Sequence, residues 1–233
     1  MIKIFPSDSR FQANHGWLKS QFSFSFAEYY DPENMNFGPM RVLNDDTIQA
    51  GYGFGTHPHK EMEIVTIMLE GVLRHKDSTG NEEELKPGEI QRMSAGTGIM
   101  HSEYNGSTTE EAKLLQLWFE PKQYGLTPSY EQFSYDQQAM INALLPVVSA
   151  NPHEQRVAHV HQDMTIYLSR LEAGKSISFS QHTNRRTFLF IMEGQLQVNG
   201  QVLERRDSAR ITDLDTLELV AGQDSYFMLI DLP

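Results

Sequence analysis

The sequence predicts an all-β protein made of two tandem barrels of the jelly-roll type, with little helix. Three observations carry this. Short segments rich in β-branched and aromatic residues recur, among them Glu63-Ile64-Val65-Thr66-Ile67-Met68-Leu69, Lys113-Leu114-Leu115-Gln116-Leu117-Trp118-Phe119 and Ser225-Tyr226-Phe227-Met228-Leu229-Ile230. Turn signals such as Glu70-Gly71, Pro87-Gly88, Glu193-Gly194 and Asn199-Gly200 separate them, as in barrels and sandwiches. Finally, Ile67-Met68-Leu69-Glu70-Gly71-Val72-Leu73 resembles Phe190-Ile191-Met192-Glu193-Gly194-Gln195-Leu196, 123 residues further on. A repeat at that distance fits a duplicated barrel better than one large barrel.

Taken in order, residues 1–134 are expected to form an N-terminal, metal-binding barrel. Within it, the alternation Phe22, Phe24, Phe26 reads as the core face of a strand. Residues 135–150 are expected to be a linker with a short helix from Tyr135 to Leu145, ended by Pro146. Residues 151–233 are expected to form a C-terminal, degenerate barrel. Aligned on the shared Glu-Gly, His59 falls opposite His182, His57 opposite Ser180 and Glu63 opposite Arg186. The second barrel therefore lacks a metal set.

The chain has 233 residues, a net charge of −12 and no cysteine. Such an acidic surface repels nucleic-acid phosphates and anionic membranes. Disulfides, thiolate catalysis and Cys-ligated metal centres are excluded. Neither a signal peptide nor a membrane span is expected, which makes the cytoplasm the default location. One chain already supplies two barrels, so a monomer is expected.

The chemistry is carried by two motifs about forty residues apart. Gly51-Tyr52-Gly53-Phe54-Gly55-Thr56-His57-Pro58-His59 places two imidazoles at i and i+2. Ser94-Ala95-Gly96-Thr97-Gly98-Ile99-Met100-His101-Ser102-Glu103 does the same with an imidazole and a carboxylate. On a strand, i and i+2 share a face. Two such strands side by side offer three His and one Glu to one point, leaving an octahedral ion two open positions. Glu63 and Glu61 are rival carboxylates. Glu103 is preferred as ligand, with Glu63 placed behind the ligands. Gly51, Gly53 and Gly55 read as barrel turns rather than a nucleotide loop, since no helix follows.

The first motif is similar to the first cupin motif: Gly51, five residues, His57-x-His59, three residues, Glu63, then Gly71. The second has Ser94 where Pro is usual and four residues between Gly96 and His101, a variant that resembles the pirin family. His15-Gly16-Trp17, Phe26-Ala27-Glu28-Tyr29-Tyr30-Asp31-Pro32, Arg41-Val42-Leu43-Asn44-Asp45-Asp46 and His75-Lys76-Asp77-Ser78-Thr79-Gly80-Asn81 also look like pirin. Within that family the chain most resembles the bacterial pirin-like quercetin 2,3-dioxygenases. The resemblance implies a bicupin whose metal lies in the N-terminal barrel only, with His57, His59, His101 and Glu103 as ligands. It implies one divalent transition metal, Fe(II) first, with Ni, Co, Mn, Cu or Zn as substitutes. It further implies a dioxygenase that takes a flavonol and dioxygen and releases carbon monoxide; Glu103, or a nearby carboxylate, is the candidate general base. The alternative is a regulatory, protein-binding module whose metal is redox-sensitive. A non-oxidative isomerase or sugar-binding cupin would need a polar, basic pocket, whereas the motif flanks are apolar.

Other histidines receive plainer readings. His75 is expected at the surface or behind the ligands, and His15 near the barrel mouth. His159 and His161 are expected on the surface, and His153 and His182 belong to no ligand set. Met62, Met68, Met93 and Met100 are expected to pack the core or line an apolar pocket.

Overall fold

The computed structural model describes residues 1–151 and 156–233, so His153 lies outside the described residues. The strands are β1 Ile2–Phe5, β2 Phe11–Asn14, β3 Leu18–Phe22, β4 Met40–Ile48, β5 Gly53–His59, β6 Glu63–Glu70, β7 Leu73–Asp77, β8 Glu82–Leu85, β9 Glu89–Ser94, β10 Ile99–Asn105, β11 Ala112–Phe119 and β12 Ser129–Ser134. They continue with β13 Leu145–Ser149, β14 Ala158–His159, β15 Thr165–Leu171, β16 Ser176–Ser180, β17 Arg186–Glu193, β18 Leu196–Val198, β19 Gln201–Leu203, β20 Ser208–Thr212, β21 Thr216–Ala221 and β22 Ser225–Leu232. The sole helical element among the described residues is a 3-10 turn at Ser7–Ser9. No helix there is long and apolar enough to cross a membrane.

The chain forms two compact units. The first comprises Phe11–Tyr135 with Asn151–Gln162, and the second Met1–Arg10, Asp136–Ala150 and Asp163–Pro233. In the first, a sheet ordered β12-β9-β6-β11-β4-β3-β2 accompanies a smaller one ordered β5-β10-β7-β8. Leu18, Ile48 and Met68 of the larger sheet pack with Leu73 and Leu85 of the smaller. The second unit repeats the plan, with β1-β20-β17-β22-β15-β13 and β16-β21-β18-β19. Its interior is closed by Leu189, Ile191, Leu196, Leu217, Leu219 and Phe227, all fully buried. The Glu-Gly repeat marks equivalent turns. Gly71 has φ +79° and Gly194 φ +83°. A Cβ at Gly71 would lie 2.7 Å from the Glu111 carbonyl oxygen, so both conformation and space select glycine.

Three expectations are corrected. No helix forms from Tyr135 to Leu145. The segment turns instead, and its backbone is claimed by β15: Arg170 N–H donates to Met140 O at 2.9 Å and Asn142 N–H to Arg170 O at 2.7 Å. Pro146 lies within β13, at a register shift against β15, where a missing N–H is tolerated. The N-terminus does not belong to the first barrel, because β1 pairs antiparallel with β20, Ile2 opposite Ile211. It takes the edge that β12 takes beside β9 in the first unit. Finally, β3 ends at Phe22. Phe22 and Phe24 are both buried, and Phe22 and the half-buried Phe26 meet edge to face at 5.2 Å and line a cavity.

Candidate metal centre

The two motifs occupy adjacent antiparallel strands. β10 runs between β5 and β7, so His101 stands opposite His57 on one side and Asp77 on the other, while Glu103 stands opposite His75. Gly53 and Gly55 lie in β5 itself rather than in turns. A Cβ on Gly53 would come within 2.8 Å of the Tyr104 ring, so glycine lets the two strands close up. The β5 pairing slips between His101 and Glu103, a bulge of the kind that re-aims side chains near active sites.

Three imidazoles meet here. Ring centroids lie 4.9 Å apart for His57 and His59, 4.4 Å for His57 and His101, and 4.7 Å for His59 and His101. His57 Nδ1 faces the Gly55 carbonyl oxygen at 2.8 Å. An N–H there leaves Nε2 with its lone pair. His57 Nε2 and His101 Nε2 are 2.9 Å apart, near the spacing of two neighbouring ligands about 2.1 Å from one ion. Burial, then the His57 charge, pushes His59 down to about 4. Burial, then His57 and His59, pushes His101 down to about 2. Both rings are thus neutral at pH 7, the state that binds metal. His101 Nδ1 is buried without a hydrogen-bond partner. This donor set fits a divalent transition ion.

The carboxylate enters through His101. His57, His59 and His101 offer ligand atoms within 4.8 Å of one another, and His75, His101 and Glu103 form an overlapping group at the same limit. Burial pushes Glu103 up to about 7, opposed by Gln116 and reinforced by Asp46. Gln116 Nε2 donates to Glu103 at 3.0 Å, and Thr66 donates to Gln116 Oε1 at 3.0 Å, which fixes the amide's orientation. His75 is buried rather than at the surface, 3.0 Å from Asp77 Oδ2 and stacked on Tyr130. Asp77 also accepts from Thr79 and Asn81 and is held well below the usual carboxylate range.

A cavity of about 490 Å³ opens onto His57, His59 and Glu103. Its walls are aromatic: Trp118 lies edge to face with His59 at 4.7 Å and with Phe26 at 5.3 Å, and Trp17 lies edge to face with Phe54 at 5.2 Å. At the rim His15 lies 3.5 Å from Glu28, both half exposed. None of the four methionines Met62, Met68, Met93 and Met100 lines this cavity. Met68 and Met93 are core residues, and Met100 is exposed.

Glu63 is not behind the ligands. The chain leaves β5 at His59, takes a positive φ at Glu61 and enters β6 of the other sheet, so strand alternation does not carry across. Glu63 accepts from Ser94 Oγ at 2.8 Å and faces His161 Nδ1 at 3.5 Å, and Glu61 accepts from Gly125 N–H at 3.1 Å. His159 and His161 are therefore not simple surface residues. His159 N–H donates to Glu131 at 2.8 Å, and Glu131 also pairs with the buried Arg92. His182 is exposed.

Paired sheets closed over a core in each of two units, with converging imidazoles in one, define a two-barrel, cupin-class protein with a candidate metal centre. Residues 5–119 match the Pirin family, and residues 147–232 match the family described as quercetinase C-terminal cupin domain. The chain belongs to the pirin family. It is 44% identical over 233 residues to the quercetin 2,3-dioxygenase of Escherichia coli (strain K12), covering 100% of this chain and 99% of that one. It is 36% identical to a pirin-like protein of Caulobacter vibrioides, covering 99% of each. The crystal structure of the Escherichia coli bacterial pirin YhhW in complex with nickel(II) has a TM-score of 0.95 at 43% identity, covering 100% of this chain and 99% of that one.

Proposed function

We propose that this protein is a metal-dependent dioxygenase that cleaves a flavonol such as quercetin with dioxygen and releases carbon monoxide. Its ion would be held by His57, His59, His101 and Glu103, with Fe(II) the first candidate and nickel a competent substitute. The observation that carries the reading is the convergence of three imidazoles, two of them held neutral by burial, on an aromatic cavity wide enough for a planar ligand. The dioxygenase name of a relative identical at 44% of positions supports the substrate class.

The bound ion would act as a Lewis acid that acidifies the substrate hydroxyl. The residues do the rest. Trp17, Phe26, Phe54 and Trp118 stack the rings and exclude water. Glu103, beside the imidazoles and open to the cavity, would accept the hydroxyl proton. Gln116 keeps that carboxylate oriented.

The test is anaerobic metal analysis joined to a flavonol assay that monitors carbon monoxide. His101→Ala should lose both bound metal and flavonol consumption. Wild-type turnover in that variant would refute the site, and stoichiometric metal with no carbon monoxide from any flavonol would favour the binding-module reading.

A further inference from the structure

The cavity has a second polar feature, on β4. Asn44 and Asp46 stand two residues apart and share a strand face. Both line the cavity, at 5% and 4% exposure. A polar row crosses the sheet here: Asn44 is opposite Gln116, and Gln116 is opposite Thr66. Thr66 and Gln116 satisfy one another and Glu103. At Asn44 the row runs out, because its Oδ1 is sealed from bulk water with no hydrogen-bond partner. Asp46 accepts from the Ser20 hydroxyl through Oδ1, which leaves acceptor capacity on its other oxygen. Phe22, Phe26 and Phe54 have nothing to donate to either. A buried acceptor without a donor is rare in folded proteins, and Asn44 Oδ1 is one, on a residue of the cavity wall next to the free oxygen of Asp46.

We propose that Asp46, with Asn44 beside it, determines specificity by accepting a hydrogen bond from a phenolic hydroxyl of a planar, polyhydroxylated aromatic ligand. The inference rests on the dioxygenase reading and assigns the site its substrate pattern. A pocket that holds a hydroxyl in this way discriminates against analogues lacking it far more strongly than an apolar pocket does.

Both of the chain's tryptophans, Trp17 and Trp118, line this cavity, so their fluorescence reports its occupancy without turnover. Nickel-loaded protein would be titrated anaerobically with quercetin, with quercetin ethers methylated away from the 3-hydroxyl, and with unsubstituted 3-hydroxyflavone. Wild type should bind quercetin at least about tenfold more tightly than 3-hydroxyflavone. Asp46→Asn and Asn44→Leu should each weaken quercetin and shrink that ratio while leaving 3-hydroxyflavone unchanged. Equal loss for both ligands, or an undiminished ratio in variants that keep their circular dichroism and nickel stoichiometry, overturns the proposal. If neither variant folds, the wild-type series decides, and equal affinities overturn it. No quenching by any flavonol overturns both this and the dioxygenase reading. The expected preference without carbon monoxide release upholds this proposal and refutes the dioxygenase reading alone.

Discussion

Gln116→Met removes the amide that ties Glu103 to the sheet while keeping side-chain length. In the native protein Gln116 Nε2 donates to both Glu103 oxygens, at 3.0 and 3.3 Å, and the two residues are 8% and 4% exposed. A hydrogen bond to a buried carboxylate stabilises its ionised form by about 1.5–3 kcal/mol, which is about 1–2 pKa units. Glu103, already held at about 7 by burial, should therefore move to about 8 or above. A metal ion that takes Glu103 as ligand must then displace a proton that the wild-type site has partly lost at pH 7. Nickel affinity should fall about 10–100-fold, and proton release on binding should rise. Isothermal titration calorimetry at pH 7 in two buffers of different ionisation enthalpy measures both. Affinity within about twofold of wild type, with unchanged proton release, would refute the assignment of Glu103 as a ligand oriented by Gln116.

Three further outcomes follow from the same geometry. Glu63→Gln should leave nickel affinity within about twofold, since Glu63 shares no partner with the imidazoles, and lower stability by about 1 kcal/mol through its bond to Ser94; a tenfold loss of affinity in the same titration would return Glu63 to the metal site. Gly71→Ala should destabilise by about 2–3 kcal/mol in urea unfolding, because φ is +79° and the new Cβ meets the Glu111 carbonyl; a change under about 0.5 kcal/mol would show that the turn is not held as described. Metal-free protein should have a stability maximum in mildly acid solution. Asp46 and Glu103 are raised by burial from 3.8 and 4.5 to about 7, so their contribution is complete below the lower values and is lost as pH rises through about 7. His59 and His101 are lowered from 6.5 to about 4 and about 2, so theirs is complete above 6.5 and is lost as pH falls through the lower values. Melting temperature should therefore drop between about pH 6.5 and 8, and a steady rise over that range would contradict the burial of both carboxylates.

The convergence of His57, His59 and His101 was legible because i and i+2 on a strand leave little choice of face, and the motifs pair as neighbours. The repeat was legible for a similar reason, since Gly71 and Gly194 mark equivalent turns that accept no side chain. What stayed hidden depends on register between distant strands. Gln116 reaches Glu103 because β11 and β10 lie in different sheets that close on one another, and nothing local to Leu115-Gln116-Leu117 announces that. The same holds for Asn44, Asp46 and the aromatic walls. The position of β1 depends on pairing across about 200 residues, a contact no local pattern encodes. Tyr135–Leu145 had helical composition, but β15 offered its backbone better partners, and tertiary pairing overrode propensity.

The two units fill their interiors differently. Where β5 sets His57 against His101 of β10, β16 sets Phe179 against Leu217 and Ile177 against Leu219 of β21, and these join the apolar core. The smaller sheets are paired in the same order, β5-β10-β7-β8 and β16-β21-β18-β19, and differ in the side chains they carry. Imidazoles held neutral by burial and carboxyls held up to about 7 are desolvated groups that lower the stability of the metal-free first barrel. Leucine, isoleucine and phenylalanine on β16 and β21 stabilise the second instead. Bound metal would restore to the first barrel what its polar interior forfeits. One unit thus keeps buried polar groups that its own packing does not favour, and the other is filled as an ordinary apolar core.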